Sequence, residues 1–219
     1  KMRDCGDNEI EREYWDKRQL VKKINLNSLY GAILNPGCRF FDMRIGQSVT
    51  LTGRCITKHM ASKVNEIVAG KYDHKGESVV YGDTDSVYFS AYKTLQKEIN
   101  EGVIPWTKDS VLGLYDKIAE EVNGSFKSFM TRAFHTPSTR GEVIAAGREL
   151  VASKGLFITK KRYAVLYYDK EGKRADVEGK DGKMKAMGLD LKRSDTPVFV
   201  QDFLSDLLYM VLQGKEEQE

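Results

Sequence analysis

Val79 to Ser90 reads VVYGDTDSVYFS, two short runs of β-branched and aromatic residues enclosing Gly-Asp-Thr-Asp. Such runs favour extended backbone while Gly, Asp and Thr favour tight bends, so the stretch predicts a β-hairpin with an acidic tip. Asp83 and Asp85 stand two residues apart. On extended backbone that spacing aims both side chains to one side. Like charges so close repel and resist desolvation unless a cation lies between or beside them. Hard divalent ions with oxygen ligands, Mg2+ above all, suit the arrangement. An ordinary solvated turn has the same composition, so the pair alone leaves both readings open. The apolar flanks predict that the hairpin is carried in a core sheet.

The 219 residues are 41% hydrophobic and 31% charged, the balance of a globular chain forming one large domain or two small ones. No apolar run approaches the length of a membrane-spanning helix, and the opening KMRDCGDNEIERE is too charged for a signal peptide. No membrane partner is expected, and the expected location is the cytoplasm, that of the host if the gene is viral. Cys5, Cys38 and Cys55 are odd in number and lack metal-site spacing, which reads as free thiols. His59, His74 and His135 are scattered and read as ordinary surface or core residues. A formal charge of +3 makes no global case for nucleic acid. Locally, Leu156 to Arg193 holds eleven Lys or Arg against six Asp or Glu, interleaved with Tyr163, Tyr167 and Tyr168.

Glu11 to Leu34 has helical composition and is closed by Asn35-Pro36-Gly37. Gln47 to Ala69 repeats Val49, Ile56, Met60, Val64 and Ile67 at helical spacing, with Gly70 as its cap. A long helix is predicted from Ser110 to Phe134, capped by Asp109 or Ser110, with Val111, Leu114, Ile118, Val122, Phe126 and Phe129 along one face. Glu142 to Ala152 and Leu156 to Tyr168 read as strands joined by Ser-Lys-Gly. Asp195-Thr196-Pro197 starts a last helix carrying Phe199, Phe203, Leu207 and Met210 or Val211, and the final GKEEQE reads as frayed. Sheet segments backed by amphipathic helices imply an α+β layer. Trp15 and Trp106 read as packing residues.

In KKINLNSLYGAI, Lys22 to Ile33, the residues Lys23, Asn27 and Tyr30 fall at i, i+4 and i+7, a narrow stripe on one helical face. A lysine is a mobile point charge suited to phosphate, and a flat ring two turns on can pack against a base or sugar. A surface helix with a snorkelling lysine and a half-buried tyrosine would look the same. Here the sequence resembles the family B DNA polymerases. KINLNSLYG at Lys23 to Gly31 matches their K-x-x-x-N-S-x-Y-G motif, and YGDTDS at Tyr81 to Ser86 matches their second catalytic-aspartate motif. KKRY at Lys160 to Tyr163 matches the motif that grips primer-template. SVTLTGR at Ser48 to Arg54, Arg148-Glu149, KAMG at Lys185 to Gly188 and RSDTP at Arg193 to Pro197 also look like the family. The details are most similar to the polymerases of large tailed bacteriophages, over about residues 14 to 200.

The resemblance implies a polymerase palm, an antiparallel sheet backed by helices, with a fingers helix at the N-terminus. Residues 1–34 would be partial fingers, 35–192 palm and 193–219 the start of a thumb. It further implies Asp83 and Asp85 as catalytic residues, with Asp85, Asp83 and Glu149 near two Mg2+ ions. Lys23 would contact a deoxynucleoside triphosphate, Asn27 and Tyr30 the nascent base pair, and Lys160, Lys161, Arg162, Tyr163 and Lys185 the primer-template DNA. Strand alternation would put Lys161 and Tyr163 on one face, Lys160 and Arg162 on the other.

The family's other catalytic aspartate lies in a D-x-x-S-L-Y-P-S motif upstream of the fingers, and no such motif occurs in this sequence. One acidic hairpin cannot bridge two metal ions by itself. The chain alone is therefore expected to be inactive or nearly so. It would be either a naturally split polymerase, paired with an N-terminal polypeptide that carries the absent motif, or a piece of a longer gene. Two other classes remain: a palm-like nucleotidyl cyclase that uses no template, and a non-catalytic nucleic-acid-binding remnant of a polymerase.

Overall fold

A computed structural model describes residues 8–177, 181–192 and 195–214. Cys5, Arg193, Ser194 and most of the GKEEQE tail lie outside the described residues. The chain divides into two compact units, Lys1–Ile56 and Thr57–Glu219.

The first unit is built on α1, Glu9–Ile33. The Asn8 side chain accepts from the Glu11 amide at 3.2 Å, and Glu9 and Glu11 complement the positive end of the helix. The predicted stop holds: helix ends at Leu34, and the Asn35 side chain accepts from the Gly37 amide at 2.9 Å. No residue of α1 is fully buried. The second helix, α2, runs Met43–Ala69, four residues longer at its start than the apolar spacing predicts. Asp42 accounts for the extension, since its carboxylate accepts from the Arg44 amide at 2.9 Å and pairs with the Arg44 guanidinium at 2.8 Å. Those contacts hold its pKa low, at about 2.

The second unit starts within α2 and continues with β1 Val79–Asp83 and β2 Ser86–Phe89, an antiparallel pair. A short α3, Gln96–Asn100, leads to α4, Lys108–Phe134, and a single turn α5, Ser138–Gly141. Thr107 caps α4 by accepting from the Ser110 amide; the cap predicted at Asp109 or Ser110 lies two to three residues too far in, because both are already helical. Its buried face is Val111, Ile118, Val122, Phe126 and Met130. Then follow β3 Leu150–Thr159, β4 Arg162–Lys170, β5 Lys173–Arg174 and β6 Lys183–Met187, with β3, β5 and β6 each paired antiparallel to β4. The last helix, α6, is Val198–Gln213, with Pro197 at its cap position.

Both sheets are antiparallel and packed with helices, the predicted α+β arrangement. They are two sheets, however, and the acidic hairpin forms the two-stranded one by itself. The four-stranded sheet holds the core: Val165 and Leu166 on β4 are nearly inaccessible, as is Phe126 of α4. Trp106 packs against Val111, Val151 and Tyr168, the packing role read from the sequence. The strand predicted from Glu142 begins only at Leu150, and Ser153-Lys154-Gly155 lies inside β3 rather than joining two strands. Gly155 marks close packing there: a Cβ would stand 3.0 Å from the Phe157 ring and 3.2 Å from Val165. On α6 the predicted apolar face of Phe199 and Phe203 is exposed, while Leu212 is buried against Ala164 and Leu166.

Candidate functional site

The register Asp83↔Ser86 leaves Thr84 and Asp85 as a two-residue bend. Thr84 takes φ 35, so the backbone between the two aspartates is not extended and the alternation argument does not apply to them. Asp83 ends the strand half-buried and Asp85 sits exposed in the bend. Three hydroxyls fix the bend. Thr57 of α2 donates to the Thr84 carbonyl at 2.8 Å, Ser86 to the Asp83 carbonyl at 3.3 Å, and Thr84 to the Asp83 carboxylate at 3.1 Å. Among the described residues nothing hydrogen-bonds to or pairs with the Asp85 carboxylate. The bend thus presents a carboxylate that no described residue engages.

Behind the bend, cross-strand neighbours Tyr81 and Tyr88 pack with Phe157 and Tyr163. The Tyr88 and Tyr163 hydroxyls are 3.0 Å apart, and the Tyr81 hydroxyl accepts from the Lys161 amide at 2.8 Å. Burial, reinforced by the bond to Tyr163, pushes the Tyr88 phenol well above the ordinary tyrosine range, so it stays a neutral hydroxyl.

Thr159 pairs with Arg162, so Lys160 and Lys161 are the bend of the β3–β4 hairpin, with Lys161 at φ 61. This corrects the alternation expected for KKRY: only Arg162 and Tyr163 lie on the strand. Lys160, Lys161 and Arg162 are exposed, and Tyr163 is only 4% exposed. Arg162 donates to the Gly188 carbonyl at 3.1 Å, which brings KAMG beside KKRY. Lys185 pairs with Glu149 at 2.7 Å. The neighbouring Arg148 bonds Asp116 at 2.5 Å and also the buried Asp169. Burial alone would lower the Arg148 pKa, but these two carboxylates outweigh it and the net shift is upward.

A cavity of about 560 Å³ runs between these elements, with Asp85, Tyr88, Arg148, Glu149, Phe157 and Val165 in its wall. Among the described residues no three His, Cys, Asp or Glu groups converge closely enough to hold a metal ion. The donor chemistry nevertheless fits Mg2+, which is commonly held by one or two carboxylates together with water and substrate phosphates. In the first unit Lys23 and Asn27 line one open cavity on α1. Tyr30, a turn further on, donates its hydroxyl to the Gly46 carbonyl at 3.3 Å.

The sequence model described as DNA polymerase family B matches residues 1–131. The chain belongs to DNA polymerase family B. It is 34% identical over 210 residues to the DNA-directed DNA polymerase of Escherichia phage RB69, covering 90% of this chain and 22% of that protein. To the DNA-directed DNA polymerase of Enterobacteria phage T4 it is 31% identical over 215 residues, 91% of this chain and 23% of the other. The DNA polymerase delta catalytic subunit of Oryza sativa subsp. japonica is 28% identical over 209 residues, 94% and 16%. The chain therefore spans less than a quarter of the length of these relatives.

Within this family B chain, the acidic bend and KKRY are tied by tyrosine hydroxyls in one unit, while Lys23, Asn27 and Tyr30 sit in the other. Sequence reading missed Thr57, Tyr81, Tyr88 and Gly188 as the parts that hold the bends. A signal was present: Tyr81 and Tyr88 flank the acidic tip symmetrically, as a cross-strand aromatic pair must. Thr57 had none, since its role depends on where α2 lies against the hairpin.

Proposed function

We propose that this stretch is palm and part of the fingers of a DNA-directed DNA polymerase, with residues 1–34 in the fingers, 35–192 in the palm and a thumb beginning at 193. It would contribute one side of a two-metal nucleotidyl-transfer site in the cytoplasm of the cell that hosts it. The observation that carries this reading is the unengaged Asp85 carboxylate on a bend fixed by Thr57, in the wall of the cavity that also holds Glu149. Mg2+, when bound, offsets the charge that builds on the attacking primer hydroxyl and the leaving pyrophosphate. Asp85 and Asp83 hold it from this side, with further carboxylates supplied by residues outside this stretch, whether in the same polypeptide or another. Lys23 meets the phosphates of a deoxynucleoside triphosphate, and Asn27 and Tyr30 border the new base pair. Lys160, Lys161 and Arg162 bind the primer-template backbone with little sequence preference. Tyr163, being buried, acts by setting the position of that bend. Lys185 is held by Glu149 and reaches DNA only by leaving that partner.

Primer extension tests the reading. The chain is mixed with a polypeptide that carries the D-x-x-S-L-Y-P-S motif, or studied within a complete polymerase. Extension is expected to need both parts and Mg2+, and Asp85→Asn is expected to abolish it. An undiminished rate in Asp85→Asn removes that residue from the metal site. A cyclic nucleotide product from the chain alone would replace this reading by a template-free one.

A further inference from the structure

Glu149 stands immediately before β3, and its carboxylate pairs with the Lys185 ammonium of β6 at 2.7 Å. The backbone on either side of this pair is pinned independently of it. The Glu149 carbonyl accepts from the Glu171 amide at 2.8 Å. Just upstream, Ala146 engages the Asn123 side chain through both its amide and its carbonyl, at 2.7 and 2.8 Å, and Arg148 is anchored to Asp116 and Asp169. Lys185 is registered against Val165 within the sheet. What remains free to move is the two side chains, and they are open to water: that of Lys185 is 26% exposed and that of Glu149 49%. Such an ion pair is weak, because hydration competes with it and two long side chains must be held in one geometry.

Among the described residues, Glu149 lines the cavity that holds Asp85, whereas Lys185 lies outside its wall. The pair therefore crosses the rim, with its anion inside and its cation on the strand whose end, at Gly188, accepts from Arg162. We propose that Glu149 and Lys185 form a latch that primer-template DNA and a divalent cation open together. DNA draws Lys185 away, and the released Glu149 carboxylate joins Asp85 in facing the cation. The proposal rests on the DNA role read above for Lys185 and the metal-side role read for Glu149, and adds that the closed pair denies both. A lone carboxylate holds a hydrated Mg2+ weakly, and a second one in the same wall strengthens the attraction. Since each ligand gains a contact only when the pair is broken, linkage makes each tighten the other by the same factor. A weak pair sets a modest one, roughly two- to fivefold.

Glu149→Gln and Lys185→Met open the latch while keeping the bulk of each side chain. In EDTA, Glu149→Gln is expected to tighten binding of a labelled primer-template roughly threefold by fluorescence anisotropy, and to lose that gain in a Lys185→Met background. Without DNA, Lys185→Met is expected to tighten Mn2+ binding by a similar factor, followed by electron paramagnetic resonance, and to lose that gain in a Glu149→Gln background. Additive effects in either double variant would overturn the latch. So would an equal tightening of DNA binding by Asp85→Asn, which removes a carboxylate that holds no lysine and so measures charge loss alone. The same set separates the latch from the readings beneath it. Unchanged DNA binding on adding Lys185→Met to Glu149→Gln would remove the DNA role of Lys185, and unchanged Mn2+ binding on adding Glu149→Gln to Lys185→Met would remove Glu149 from the metal side. Both roles intact, with neither single variant shifted as stated, would sink only the latch.

Discussion

Tyr163 is buried with its hydroxyl 3.0 Å from that of the half-buried Tyr88, so removing one oxygen leaves the other without this partner. Tyr163→Phe is expected to destabilise the second unit by about 1–2 kcal/mol, read by urea unfolding. The double variant with Tyr88→Phe should recover part of that loss, because no orphaned hydroxyl remains. His59 makes a pH-dependent counterpart. It is 5% exposed, stacked on Phe129 at 3.9 Å, with Nδ1 2.7 Å from the Tyr72 hydroxyl and Nε2 2.9 Å from the Ser125 hydroxyl. Ser125 gives its own proton to the Val122 carbonyl at 2.6 Å, so His59 donates from Nε2 and accepts at Nδ1. Burial lowers its pKa, with Arg132 and then Lys63 adding to the effect and Glu66 opposing it. The unfolded chain therefore takes up a proton first, and stability must fall as pH drops through the unfolded value of about 6.5. A melting temperature that declines from pH 7 to 5, and declines less in His59→Gln, is the expected result. The sequence alone showed a lone histidine in a helix and nothing of these partners, which come from Tyr72 and α4.

Between elements, the contact that matters most is backbone against backbone. Gly188 has φ 65, and a Cβ there would stand 2.0 Å from the Lys161 carbonyl oxygen. Any side chain would have to push the β3–β4 bend away from β6, in addition to adopting an unfavourable φ. Gly188→Ala is expected to cost more than about 1 kcal/mol and to weaken primer-template binding as Lys161→Ala does, measured by anisotropy with a labelled duplex. In both variants the loss should shrink as salt rises, since the contacts proposed for this bend are with phosphates. The motifs KKRY and KAMG were legible as strings, and so were α1, α2, α4 and the acidic hairpin, because each follows from a local period or turn. The bend at Lys160-Lys161 was not. Its residues are ordinary strand-compatible lysines, and the nearby Ser-Lys-Gly offered a better turn by composition. What overrode composition was long-range: the Tyr81 hydroxyl on the Lys161 amide and the close approach of Gly188.

For the molecule as a whole, the two units are held together by different means. The second has a core in which Phe126, Val165 and Leu166 are almost wholly enclosed, each worth roughly 1.5–3 kcal/mol of apolar burial. The 25 residues of α1 include none that is buried. Leu20, Val21, Ile24, Leu26 and Leu29 are all more than half exposed. A helix without tertiary burial relies on its Asn8 cap, its i,i+4 pairs and its length, which leaves it marginal in water. Amide hydrogen exchange should therefore split the chain. The α1 amides are expected to exchange through local fraying, with opening free energies of only about 1–2 kcal/mol. The β4 amides from Ala164 to Tyr168 should be among the last to exchange, near the global limit. Asn8→Ala should speed exchange at the start of α1 and leave β4 unchanged. Equal protection in the two segments would mean that the apolar residues exposed on α1 are covered in solution and that the helix is not marginal.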